Sequence, residues 1–168
     1  GACAGAGLAY ALQCDLRFAA EGVKFTTAFS RRGLIAEYGM VWLLDSIVGR
    51  SNAMDLLLSA RIILSDEALL MGLVNRVVPS DNLLDVALDY ARDLAANVSP
   101  ASMATIKHQF RVETSMSAED ALVHAEGLMR ESLRGADVAE GIGSFLDRRP
   151  ADFAPLGQGT RFGWMTRE

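Results

Sequence analysis

Gly1-Ala-Cys-Ala-Gly-Ala-Gly-Leu-Ala-Tyr-Ala-Leu-Gln-Cys-Asp15 opens the chain, and the rest is read outward from it. Small residues fill positions 1–7, and an apolar helical run follows directly. Glycine at 1, 5 and 7 admits backbone angles that other residues resist, and small side chains let a ligand approach the main chain. A turn feeding a helix start leaves N–H groups without acceptors, aimed at anything carrying negative charge. A phosphate suits such a place, and so does an oxygen that becomes anionic during a reaction. The dinucleotide fingerprint G-x-G-x-x-G/A is not met, because Gly5-Ala-Gly7-Leu-Ala runs into Tyr10 at the third position. The competing bland reading is close packing of a small-residue helix on a neighbour.

The 168 residues predict one domain with enough apolar content for a core, and the net charge of −5 argues against nucleic acid or a polybasic membrane patch. No apolar run is long enough to cross a bilayer, and no signal-peptide pattern is present. Cys3 and Cys14 form no C-x-x-C motif and read as packed thiols, which favours a reducing cytoplasmic location. His108 and His124 are the only histidines and lack metal-ligand spacing, so no metal site is expected.

Along the chain, 8–13 predicts a short helix, and 15–18 and 23–27 predict strands joined by the turn-like Ala20-Glu-Gly22. Residues 30–37 read as irregular. Residues 40–48 predict a helix stopped by Gly49, and Ser51 caps the next one, running to about Leu58. A further helix starts at Ser65-Asp-Glu67 and ends at Gly72, and 73–78 predicts a strand closed by Pro79. Beyond it the pattern turns helical. Leu83, Leu84, Ala87, Leu88, Ala91, Leu94 and Ala95 form one stripe. Pro100 starts another helix, to about Val112. Ser117 caps a helix with Ala121, Leu122, Ala125, Leu128, Met129 and Leu133 on one face. Residues 138–148 predict a last helix ended by Pro150, followed by an extended tail whose Phe162 and Trp164 can dock on another surface.

With these elements placed, the chain resembles the crotonase superfamily, the enoyl-CoA hydratase/isomerases. The residues that carry the resemblance are Gly1-Ala-Cys-Ala-Gly-Ala-Gly7, Cys14-Asp15, Lys24-Phe25, Gly33-Leu-Ile-Ala-Glu-Tyr-Gly39, Ala68-Leu-Leu-Met-Gly-Leu-Val-Asn-Arg-Val-Val-Pro79, and Phe145-Leu-Asp-Arg-Arg-Pro150 with Phe153. The resemblance implies an α/β class, with a crotonase-like ββα spiral, present in part, followed by a helical trimerisation region. Residues 1–79 are then the C-terminal part of the spiral core, 80–153 the helical oligomerisation region and 154–168 an extended tail. A homotrimer, or a hexamer made of two trimers, is the implied assembly. The family's spiral has turns ahead of the glycine stretch that carry most coenzyme A contacts and one of two oxyanion-hole N–H groups, so this chain reads as a portion of a longer molecule. Bare strand edges and apolar surface are the expected result.

The resemblance also implies the chemistry. Its members process acyl-CoA thioesters by stabilising an enolate, with coenzyme A part of the substrate and no bound cofactor. Two backbone N–H groups hold the oxygen that becomes negative. By motif match Ala6 supplies one of them here, next to Gly5. Hydratases of the family usually carry two glutamates to activate water, and the matching positions are Ala9 and Phe29. Glu37 falls where peroxisomal-type isomerases hold a single catalytic glutamate. One carboxylate in a dry pocket can take a proton from the α-carbon and return one to the γ-carbon. Phe25, Phe29, Met40 and Trp42 are the expected walls of that pocket. Set beside this, Glu37 also reads as a surface carboxylate favoured at a helix start. Asp15 reads as structural. Lys107 and Arg148 read first as solvated and second as phosphate contacts, and Arg31 and Arg32 as a solvated pair or a subunit contact. The implied reaction is enoyl-CoA isomerisation with Glu37 as base. Hydration or another crotonase-type reaction is the alternative, and a non-catalytic acyl-CoA-binding or structural subunit is the third reading.

Overall fold

The computed structural model describes residues 1–166 and divides into two compact units, Gly1–Ala87 and Leu88–Glu168. The division falls at 87/88, inside a helix, whereas the sequence pattern changes at 79/80.

The first unit alternates short strands with helices. β1 (Cys3–Ala4) runs parallel to β3 (Lys24–Thr26), with Cys3 opposite Phe25, and β3 pairs antiparallel with β4 (Ile63–Leu64). A second ladder joins β2 (Phe18–Ala20) in parallel to β5 (Arg76–Val78). Three helices pack with these strands: α1 (Ala6–Leu12), α2 (Met40–Ser59) and α3 (Ser65–Leu70). Leu8, Leu12, Phe25, Met40, Leu44, Leu56, Ile63 and Leu73 interlock in one buried cluster, each burial giving about 1.5–3 kcal/mol relative to an exposed side chain.

Helix α2 contains the break that the sequence predicts. Gly49 sits at φ 75°, ψ 160°, so two helices meet end to end there, and the Asn52 amide donates to the Val48 carbonyl at 2.9 Å across the join. Two strand expectations are corrected. The segment expected at 15–18 begins its ladder only at Phe18, because the Arg17 N–H donates to the Asn75 side chain rather than to a strand. The strand expected at 73–78 shrinks to β5, since the Leu73 and Val74 N–H groups both turn back to the Ala68 carbonyl and finish α3. Nor do β2 and β3 pair with each other across the Ala20-Glu-Gly22 turn, and each finds a partner far away in sequence.

In the second unit, α4 (Leu83–Asn97) crosses the division, and α5 (Pro100–Glu113), α6 (Ala118–Ser132) and α7 (Ala136–Asp147) follow. Ser99 and Ser117 cap α5 and α6 through the Ser102 and Asp120 N–H groups. The stripes on α4 and α6, which read from the sequence as core or subunit interface, do not make a core within the chain. No residue of α4 is buried, and on α6 only Leu128 is. Phe162 from the tail fills the small core beside Ala101 and Leu128, so the tail folds back instead of extending. Its anchor is the buried Asp137, which accepts from the Ser99 hydroxyl and from both the N–H and hydroxyl of Thr160. Burial pushes the Asp137 carboxyl up, but these donors outweigh it and hold the group below its ordinary range. Two glycines make the approach possible. A Cβ on Gly135 would sit 2.3 Å from Thr160, and one on Gly159 would sit 2.8 Å from the Asp137 carboxylate. A second clip joins Arg149 to Glu140, whose carboxyl is pulled down to about 2 by that guanidinium and by the Asp152 N–H.

Candidate active site

The glycine turn is built as the sequence suggests. Gly5 stands at φ 52°, ψ −125°, a conformation that favours glycine, and its N–H donates to the Thr26 carbonyl at 3.1 Å. That bond fixes the start of α1 against the end of β3. Ala6 is the first residue of α1, so its N–H has no intrahelical acceptor and is free for an anionic atom.

Glu37 lies on the segment between the 3-10 turn Ser30–Arg32 and α2. The segment leaves a corner tied tightly at one end. Thr27 donates its hydroxyl to the Leu56 carbonyl, and the Phe29 carbonyl accepts from both Arg32 and Leu34. At the other end the Glu37 carbonyl accepts from the Met40 N–H at 3.0 Å and starts α2. Glu37 is half-buried, and its neighbour Ala36 packs on the first unit's core. Tyr38 takes a left-handed backbone, φ 56°, that costs a non-glycine residue about 1–3 kcal/mol. Its ring meets Tyr10 of α1, with centroids 6.0 Å apart. The helix that carries Ala6 and the segment that carries Glu37 are thus linked side chain to side chain.

The expected walls divide. Phe25, Phe29 and Met40 belong to the buried cluster. Trp42 does not join them. It lies on the opposite face of α2 from Met40 and Leu44 and is 70% exposed, so it walls no pocket within this unit. Ala9 and Phe29, the positions matching the hydratase glutamates, are both buried in the same apolar cluster. An apolar cavity of about 280 Å³ in this unit is lined by Cys3, Leu8, Cys14, Phe18, Phe25 and Leu73 among others, and of the expected site residues only Phe25 reaches it. Burial pushes the Cys3 thiol up, in keeping with a packed thiol.

Sequence reasoning missed a second polar cluster, in the second unit. His108 stacks flat on Trp164 at 4.3 Å, His124 lies 5.9 Å from His108, and the His124 Nδ1 pairs with Glu113 at 2.9 Å. The i, i+3 spacing of His108 and Arg111 was the available signal; that Phe162 and Trp164 can dock was readable, but not that Trp164 lands on His108. Arg148 serves as the left-handed C-cap of α7, φ 54°. Lys107 is exposed on α5.

A family model described as Enoyl-CoA hydratase/isomerase matches residues 1–155. The chain belongs to that family, the crotonase superfamily. It is 34% identical over 153 residues, 91% of this chain, to the 1,2-epoxyphenylacetyl-CoA isomerase of Escherichia coli K12, and covers 58% of that protein. It is 36% identical, again over 91% of this chain, to a probable enoyl-CoA hydratase of Rhodobacter capsulatus, and covers 59% of it. Among solved structures, a probable enoyl-CoA hydratase/isomerase from Mycobacterium abscessus superposes with TM-score 0.88 at 32% identity, over 94% of this chain and 64% of that one. The crotonase fold is therefore present, and the chain spans a little under two thirds of the length of these relatives.

Proposed function

We propose that the protein isomerises an enoyl-CoA thioester, with the Ala6 N–H as one oxyanion donor and Glu37 as the single base. The observation that carries the reading is Glu37 itself. It is a half-buried carboxylate whose segment is linked to the helix carrying Ala6, while both hydratase carboxylate positions hold apolar side chains inside the core. The thioester oxygen accepts from the Ala6 N–H as negative charge develops on it. The Glu37 carboxylate removes the α-proton, the double bond moves from β,γ to α,β, and the proton returns at the γ-carbon. Bonds and charges balance with no added reactant. A relative 30% identical over 93% of this chain bears the name of a dienoyl-CoA isomerase, which suits double-bond migration.

Glu37→Gln in the full chain removes double-bond migration if the reading holds, with kcat down by about 10²–10⁴, the usual worth of a general base. The readout is the absorbance of the conjugated thioester formed from a β,γ-enoyl-CoA. Unchanged activity overturns it. A relative named as a probable hydratase favours hydration as the second reading. Water addition to a short α,β-enoyl-CoA, retained in Glu37→Gln, would select it. We also infer self-association through the helical region, supported by exposed Phe110, Leu122, Phe145 and Leu146.

A further inference from the structure

We infer that Tyr10 is a positioning residue for Glu37: its ring, on the same face of α1 as Ala6, holds Tyr38 and with it the carboxylate one residue earlier. The inference rests on the isomerase reading above and names the part that keeps the base in register.

Three observations carry it. The first is how little else holds the segment. Among the described residues, none of the N–H groups of 35–39 finds an acceptor in the chain, and the segment's backbone bonds are those that its Glu37 and Gly39 carbonyls accept from the Met40 and Leu43 N–H groups. Beside those bonds, Ala36 on the core and the Tyr38 ring on Tyr10 are the side-chain contacts that tie the segment to the rest of the unit. The second is the backbone of Tyr38. A left-handed turn before Gly39, itself at φ 71°, is a place for glycine or asparagine, and a bulky side chain there is strained. A tyrosine held in that conformation is explained by what its ring touches. The third is the register on α1. Ala6 and Tyr10 are four residues apart, so their side chains share a face, and the Tyr10 side chain leans back over the turn towards the helix start. The one ring pair therefore spans from the oxyanion donor's helix to the base's segment. Both rings are more than half exposed, 67% and 54%, so neither is needed to fill the core.

A base displaced by an ångström loses rate and not substrate affinity, on the order of 10²-fold in the worst case. Tyr10→Ala in the full chain is therefore expected to lower kcat for isomerisation by roughly 10- to 100-fold with KM within about twofold. Tyr10→Phe keeps the ring contact and restores kcat. The double variant with Tyr38→Ala is no worse than Tyr10→Ala, because the two rings act as one unit. The fold survives these changes at exposed positions, which melting temperatures verify. If KM rises in Tyr10→Ala while kcat stays, Tyr10 is a substrate contact and the inference is wrong. A wild-type kcat in Tyr10→Ala overturns it too. Glu37→Gln run alongside separates the two ideas. If Glu37→Gln is dead and Tyr10→Ala normal, only the positioning role falls. If Glu37→Gln is active, the base assignment falls and the positioning role falls with it.

Discussion

The two units satisfy their chains by different means. Among the described residues, sixteen buried apolar side chains form one cluster in the first unit, against three in the second. The first unit is held by packing around short parallel ladders. The second is held by capped helices and carboxylate clamps at Asp137 and Glu140, while α7 leaves Phe145 82% exposed. A large apolar side chain left in water beside polar clamps is what a surface destined for burial against another molecule looks like. The contrast teaches that the first unit is specified by its own core, whereas the second is held as a frame by clamps and leaves large apolar side chains on its surface.

Four substitutions or conditions sharpen or break that contrast. The largest effect is expected from Leu44→Ala, at a fully enclosed position of the first unit, which should cost about 2–5 kcal/mol by urea unfolding. A cost near that of a surface change would show that the first core is loosely packed. Next, Asp137→Asn should destabilise the second unit by about 1.5–3 kcal/mol, the range for hydrogen bonds to a charged group. Trp164 fluorescence in a Trp42→Phe background reads that unit alone, since these are the only two tryptophans. The native carboxyl of Asp137 lies below its unfolded value, so its contribution is present above the unfolded value of about 3.9 and fades as pH falls through the native one. Acid should therefore loosen the Trp164 signal in the wild type and less so in Asp137→Asn.

A smaller acid effect is expected nearer neutrality. Burial, then Arg111 and His124, lower the His108 pKa, while Glu113 opposes them. The folded state prefers the neutral ring, so stability is full above the unfolded value of about 6.5 and declines as pH drops towards the native one. Glu131 faces the same pocket with its carboxylate on the Gly163 N–H, and His108→Phe should remove this limb while keeping the stack on Trp164. The smallest change in stability, within about 0.5 kcal/mol, is expected from Phe145→Ser with Leu146→Ser, because both side chains are exposed. Sedimentation should nonetheless show a smaller assembly. An unchanged assembly would break the idea that this face is covered by another copy.

What could be read without coordinates follows from how local each signal is. Gly49, Pro100 and Ser117 announce helix boundaries by their own backbone and side-chain chemistry, and each boundary stands where the pattern puts it. The turn at Gly5 was legible for the same reason. β2 was not, because its partner β5 lies 58 residues on, at the register of Phe18 with Arg76, and nothing near Asp15 says that Arg17 spends its N–H on Asn75. The apolar stripe of α6 was visible as core or subunit interface, and the choice between the two was not, since periodicity marks a face and not what covers it. Within the candidate site, Glu37 and Ala6 came from motif positions. The Tyr10 contact depends on the left-handed turn at Tyr38, which no propensity would assign to a tyrosine.

The missing methyl at Gly135 has a consequence for how the sequence can drift. A side chain there would run into that of Thr160, twenty-five positions later. Variation at one end of α7 is therefore answerable to the C-terminal segment, and the two should be inherited, grafted or redesigned as a pair.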